Sequence, residues 1–130
     1  MNTTKEIIDD LKDGKMVIIV DDEDRENEGD LVCAADKVNS DIVNFMAKHG
    51  RGLICLTLTK EKCSVLGLKQ MTDFNESSNK TAFTVSIEAK EGITTGISAQ
   101  DRATTILTAV NSSATKNDIC LLYTSDAADE

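Results

Sequence analysis

An α/β layered domain, with helices covering a mixed β-sheet, is predicted by three features of this sequence. Runs of β-prone residues alternate with segments whose apolar residues recur at helical spacing, glycines stand at the junctions, and no repeat or low-complexity linker interrupts the order. Ile7, Ile8 and Leu11 fall at helical spacing behind Thr3 and Thr4, either of which can cap, and Gly14 can close that segment in a left-handed conformation. Residues 16–20 (MVIIV) form a β-branched run without alternation, which predicts a central strand buried on both faces. After an acidic block, residues 31–35 (LVCAA) predict a second strand. Ser40 then caps a helix with Ile42, Phe45, Met46 and His49 on one face, stopped by Gly50.

Residues 53–58 (LICLTL) predict a further strand, and Thr59 opens a short helix that Gly67 ends. Residues 68–80 show neither period and predict a long polar loop. Residues 83–87 (FTVSI) predict a strand and EAKEG a turn. Ser98 with Asp101 three residues later makes a capping-box start for a helix bearing Ala99, Ala103, Ile106, Leu107 and Val110.

Composition narrows the function classes. In 130 residues there are 14 Lys plus Arg against 23 Asp plus Glu, a net charge of −9, and the basic residues are scattered singly, so nucleic-acid binding is not expected. No strictly apolar run exceeds five residues, the length of residues 16–20, which is far short of the roughly 20 residues of a membrane span, and the N-terminus lacks a basic flank with an apolar core. A soluble, non-secreted domain, or a piece of one, is expected. The four cysteines make no CxxC pair and no zinc spacing, which fits reduced thiols, and a single histidine, His49, excludes a two-imidazole site within this chain. The absence of proline has no functional explanation.

The most informative segment is DDEDRENEGD, residues 21–30, where seven of ten side chains are carboxylates and only Arg25 opposes them. Such crowding is unfavourable unless a cation arrives. In an extended backbone Glu26, Glu28 and Asp30 share one face and Arg25 points the other way, while Gly29 admits a close approach to the backbone. Oxygen ligands of this kind suit Mg²⁺ or Mn²⁺, and the same carboxylates can act as general bases. An acidic run is more often a solvated loop, but this one directly follows a buried-looking strand, where ligands gather in open α/β sheets. An EF-hand is excluded by spacing, since Arg25, Glu26 and Val32 would fall where a ligand, a glycine and a bidentate glutamate belong. A weaker candidate is the stretch 91–106, in which Thr94, Thr95 and Ser98 surround Gly96 before a helix, an arrangement open to an anion with Arg102 nearby, or equally to an ordinary cap. Cys55 on its strand is more often a small core residue than a nucleophile.

Taken in order, VIIVDDEDRENEGDL, HGRGLICLTLT, TAFTVSIEA and EGITTGISAQDRATTI resemble the 3,4-dihydroxy-2-butanone 4-phosphate synthases of riboflavin biosynthesis. HGRGLICL is similar to the form in bifunctional members that append a GTP cyclohydrolase II domain. The resemblance implies a Mg²⁺-dependent (or Mn²⁺-dependent) lyase acting on the small molecule D-ribulose 5-phosphate. Its products are formate and L-3,4-dihydroxy-2-butanone 4-phosphate. It also implies a homodimer with its active sites at the subunit interface, in the cytoplasm or, in a plant, the plastid. By position, Glu26 matches the family's metal-binding glutamate, Arg25 and Asp30 its substrate-binding residues and Glu28 a nearby acidic group. Asp21, Cys55 and Thr95 match residues lining the active site, Thr95 from the partner subunit. The resemblance thus assigns catalysis to Asp21, Glu28, Asp30 and Cys55, substrate binding to Arg25, Glu26, Asp30 and Thr95, and the metal to Glu26.

The pattern breaks after Ile119. The family continues with an essential histidine, a Gly-His-Thr motif carrying the second metal ligand and phosphate-binding residues, and an essential glutamate, which this chain lacks. Residues 120–130 (CLLYTSDAADE) match neither that pattern nor a packed element. Residues 1–119 are therefore expected to be the N-terminal part of a synthase domain truncated at its C-terminus, 120–130 a non-native tail, and the fragment as it stands slow or inactive. The competing expectation is a non-catalytic acidic metal-binding or interaction domain.

Overall fold

A computed structural model describes residues 1–122. Helix α1 (Thr4–Lys12) starts where its sequence can cap it: the Thr3 hydroxyl accepts from the Glu6 amide, and the Glu6 carboxylate accepts from the Thr3 amide at 2.6 Å. Gly14 follows at φ +78°. Strand β1 (Val17–Val20) pairs antiparallel with β2 (Gly29–Val32), Val17 opposite Val32 and Val20 opposite Gly29. A 3-10 turn (Ala35–Lys37) leads to α2 (Ser40–Phe45), which runs into a π-helical turn (Met46–Gly50). Helix α3 (Lys60–Val65) begins on a Thr59 cap. Strand β3 (Ser86–Ala89), helix α4 (Ala99–Val110) and strand β4 (Ile119–Leu122) complete the described chain, with β3 and β4 antiparallel.

Helix α4 organises the packing. Its Ala103 meets Val38 and Val43 in one buried cluster, where α2 crosses α4. Its Ala109 meets Leu66, Ala114 and Ile119 in another, where β3 and β4 lie against it. The Ala89 amide donates to the buried Thr105 hydroxyl at 3.0 Å, tying β3 to the helix. The α/β class is thus met, with the strands of the described residues in two antiparallel pairs.

Several local expectations need correction. Residues 16–20 are not a strand buried on both faces: only Val17 is buried, and Ile18 and Val20 are 65% and 62% exposed, because among the described residues β1 has a single partner and its outer face is left uncovered. The second strand starts at Gly29 rather than Leu31. The α2 cap is Asn39, whose side chain accepts from the Ile42 amide at 2.9 Å, and Val43 rather than Phe45 enters the core, in the cluster with Val38 and Ala103 of α4. Phe45 and His49 pack against each other with tilted rings, 4.4 Å between centroids, and the left-handed residue that ends the helix is Arg51, not Gly50. Residues 53–58 form no ladder among the described residues, yet their burial alternates, with Ile54, Leu56 and Leu58 turned to the core and Leu53, Cys55 and Thr57 exposed.

The strand expected at 83–87 pairs later, at Ser86–Ala89, preceded by an isolated bridge between Gln70 and Thr84. Cys120, Leu121 and Leu122, expected to belong to an unpacked tail, lie in β4, and Leu121 packs against the second cluster. Residues 123–130 of that tail lie outside the described residues. All four cysteines are free thiols, and burial pushes the Cys33 thiol above its usual range. No helix among the described residues is long and apolar enough to cross a membrane.

Candidate active site

The acidic block is the loop of the β1–β2 hairpin, and Asp21 shapes it. Its Oδ1 accepts from the Glu28 amide at 2.8 Å, and its Oδ2 accepts from the Glu26 amide at 3.1 Å and from Arg25 Nη1 at 2.9 Å. These bonds fold residues 23–26 into a turn, with Asn27 left-handed at φ +51°. The loop is therefore not extended. Glu26, Glu28 and Asp30 do not alternate along one strand, and Arg25 does not face away: its Nη2 stands 3.7 Å from Glu26 Oε1. The physical reason is local. An aspartate at the end of β1 finds three donors within seven residues, and satisfying them outweighs keeping the strand straight. The same donors, led by the Glu28 amide, hold the Asp21 carboxyl below its ordinary range.

Glu26 is held at its Oε1, which accepts from Asn79 Nδ2 at 2.5 Å, while its Oε2 has no partner among the described residues. Asn79 stands in the long loop at 68–80, whose ends are tied by the Asn75 side chain donating to the Thr81 carbonyl at 2.9 Å and by the Met71 amide donating to the Phe83 carbonyl at 2.8 Å. Nothing local in the sequence marks Asn79, which is 53 residues from Glu26. The Glu28 and Asp30 carboxylates are exposed and accept no hydrogen bond among the described residues.

The other two predicted residues lie outside this hairpin loop in the sequence. Cys55 is exposed on the outer side of residues 53–58, and Thr95 is exposed before α4. No hydrogen bond or ion pair among the described residues joins either to residues 21–30. Around Thr95 the capping box is only half made: the Asp101 amide donates to Ser98 Oγ at 3.0 Å, but the Asp101 carboxylate does not return to the Ser98 amide. Its Oδ2 accepts instead from the Thr94 amide at 3.1 Å, the Thr94 hydroxyl at 2.8 Å and the Gly96 amide at 3.0 Å. These amides are taken by a carboxylate of the chain itself, so an external anion does not find them free. Asp101 was legible in sequence only as a capping residue.

The donors, first the Thr94 hydroxyl and then the Gly96 and Thr94 amides, outweigh burial and hold the Asp101 carboxyl below its ordinary 3.8. A depressed folded-state value means that this loop's order is fully present above 3.8 and is lost as pH falls through the lower value. The Thr94 and Gly96 amide resonances are expected to hold steady between about pH 7 and about pH 5 and to move together only in more acid solution. A common midpoint above the ordinary aspartate value would contradict the clamp.

As to metal, Glu26 offers one unpartnered hard oxygen, the donor type that suits Mg²⁺, an ion commonly held by one or two carboxylates with water completing its shell. No three His, Cys, Asp or Glu side chains converge on a common point among the described residues. The donor chemistry fits a largely hydrated ion with one protein ligand and does not form a complete cage.

Comparison with known proteins settles the family, because the family model for 3,4-dihydroxy-2-butanone 4-phosphate synthase matches residues 5–121. The chain belongs to that family. It is 55% identical over 121 residues to the 3,4-dihydroxy-2-butanone 4-phosphate synthase of Photobacterium phosphoreum, covering 93% of this chain and 33% of that protein. It is 58% identical over 119 residues to the riboflavin biosynthesis protein RibBA of Aquifex aeolicus, covering 90% of this chain and 29% of that one. Among solved structures, a synthase in complex with two magnesium ions superposes with a TM-score of 0.91 at 38% identity, covering 93% of this chain and 56% of that one. RibBX, a two-domain synthase from A. baumannii, superposes at 0.87 with 49% identity, covering 93% and 35%. The chain thus spans about a third of the length of the curated synthases it matches.

Proposed function

We propose that the protein carrying this sequence is a lyase of riboflavin biosynthesis that converts D-ribulose 5-phosphate into L-3,4-dihydroxy-2-butanone 4-phosphate and formate, with Mg²⁺ or Mn²⁺ as cofactor. The observation that carries this reading is the Asp21-folded loop, which presents a Glu26 carboxylate oxygen without a partner, in a chain that belongs to the synthase family. Glu26 would hold the metal. When bound, the metal polarises the carbonyl and hydroxyl oxygens of the ketose and eases removal of the C3 proton.

The chain's own residues have separate tasks. Asp21, with its oxygens committed to the Glu26 and Glu28 amides and to Arg25, orients the loop, and this is its contribution to the catalysis expected of it. Arg25 keeps N–H groups for a sugar oxygen. Glu28 and Asp30, exposed and unpaired among the described residues, take and return protons during enolisation and rearrangement, and Asp30 also holds the substrate. Cys55 lines the site. Thr95 binds substrate from the partner subunit of a homodimer, as its match to the family's active-site threonine implies. The protein acts in the cytoplasm on a small molecule, without nucleic acid or membrane.

A second reading, a non-catalytic acidic metal-binding or interaction domain, rests on the exposed carboxylates of Glu28 and Asp30, which accept no hydrogen bond among the described residues. The 130-residue chain by itself, with Glu26 as its one assigned metal ligand, is expected to turn over slowly. The deciding experiment measures formate release from D-ribulose 5-phosphate by the full-length protein with Mg²⁺, with Mn²⁺ and with a chelator. Metal-dependent formate release is expected. A full-length protein that binds Mg²⁺ but releases none would hand the assignment to the second reading.

A further inference from the structure

We propose that Asp101 is a positioning residue for substrate binding: its buried carboxylate clamps residues 94–96 and so sets the exposed Thr95 hydroxyl in place. The inference rests on the assignment of Thr95 to the substrate. Asp101 is 4% exposed and stands in the first turn of the 12-residue helix α4. A single oxygen, Oδ2, gathers the amides of the residues on either side of Thr95 together with the Thr94 hydroxyl, all within 3.1 Å. Pinning both neighbours fixes the Thr95 backbone and leaves its side chain turned outward.

Two further observations make this a built clamp. A buried carboxylate is unfavourable without compensation, and no cation forms an ion pair with Asp101 among the described residues. The three donors and the positive end of α4 supply that compensation. On the other side of the loop, Gly96 is left-handed at φ +85°, a conformation that L side chains rarely adopt, and the Glu88 side chain of β3 lies against it. A cap alone needs none of this, because Ser98 already satisfies the Asp101 amide.

The test is a double-mutant cycle in the full-length enzyme, read as KM for D-ribulose 5-phosphate and kcat from formate release, with Thr95→Ala, Asp101→Asn and the pair. Thr95→Ala and Asp101→Asn are each expected to raise KM about five- to ten-fold, the worth of one hydrogen bond, and the pair to match Thr95→Ala alone within about two-fold. Multiplying effects would show that Asp101 does not act through Thr95 and would overturn the proposal. An unchanged KM in Thr95→Ala would instead remove Thr95 from the substrate, and the inference would fall with that assignment.

Asp101→Asn can unfold the chain, so Thr94→Val supplies a milder break: it removes one donor to the clamp and leaves the carboxylate. In the 130-residue chain Thr94→Val is expected to speed exchange of the Gly96 amide about ten-fold without altering the exchange of the α4 interior. In the enzyme it is expected to raise KM more than it lowers kcat. Unchanged Gly96 exchange together with unchanged KM would defeat the clamp.

Discussion

Leu66→Ala is expected to lower the free energy of unfolding by about 2–5 kcal/mol, a large share of the roughly 5–15 kcal/mol that holds a domain together. Leu66 ends α3 and is 1% exposed, and it meets Ala109 of α4, Ala114 and Ile119 of β4, with Leu56, Leu58, Leu68, Ile87 and Leu121 around them. Two of its buried neighbours are alanines, which have no side-chain length with which to fill the space. The cavity should therefore stay open, and the cost should fall in the upper part of the range. Urea unfolding of the two chains side by side measures it, with Leu53→Ala as control. Leu53 is 79% exposed, and its truncation is expected to change stability by no more than about 0.5 kcal/mol. Similar midpoints for all three chains would mean that the second cluster does not hold α3, α4 and the β3–β4 pair together.

Glu26→Gln is expected to lower formate release by the full-length enzyme at least about a hundred-fold while leaving its unfolding midpoint unchanged. The two halves of this expectation have different causes. Glutamine keeps the size of the side chain and an oxygen that can accept from Asn79 Nδ2, and Glu26 is exposed, so the fold loses little. What disappears is the negative charge at the free oxygen, which is what a hard divalent cation requires. Mn²⁺ titration of the same variant separates the possibilities: loss of binding together with loss of turnover supports the metal assignment, whereas retained binding or retained turnover removes Glu26 from that role.

Much of the local structure was legible because the interactions responsible lie within a few residues of each other. Thr3, Thr59 and Ser98 cap helices three residues ahead of the amides they accept, and Gly14 and Gly67 take the left-handed conformations that end α1 and α3. The family was legible for a different reason: the acidic motif and the segment before α4 are long, unusual strings that need no folding to be read. Errors arose where a residue had two partners in reach. Asn39 displaced Ser40 as a cap, and Asp21 turned an extended acidic run into a folded loop with Arg25 on the inside.

The sequence by itself determined the α/β class, the family, and the residue types proposed to meet a hard cation and a sugar. Only the tertiary structure decided which of those residues are spoken for. Asn79 reaches Glu26 across 53 residues, and Asp101 leaves its own cap to clamp the loop that carries Thr95. Strand burial was likewise decided by partners: Ile18 and Val20 have the composition of a central strand, yet among the described residues β1 pairs only with β2 and leaves them exposed. The physical reason is common to all three. A side chain's composition states what it can bond or bury against, but hydrogen bonds and apolar contacts are satisfied by whichever group the fold brings within a few ångströms.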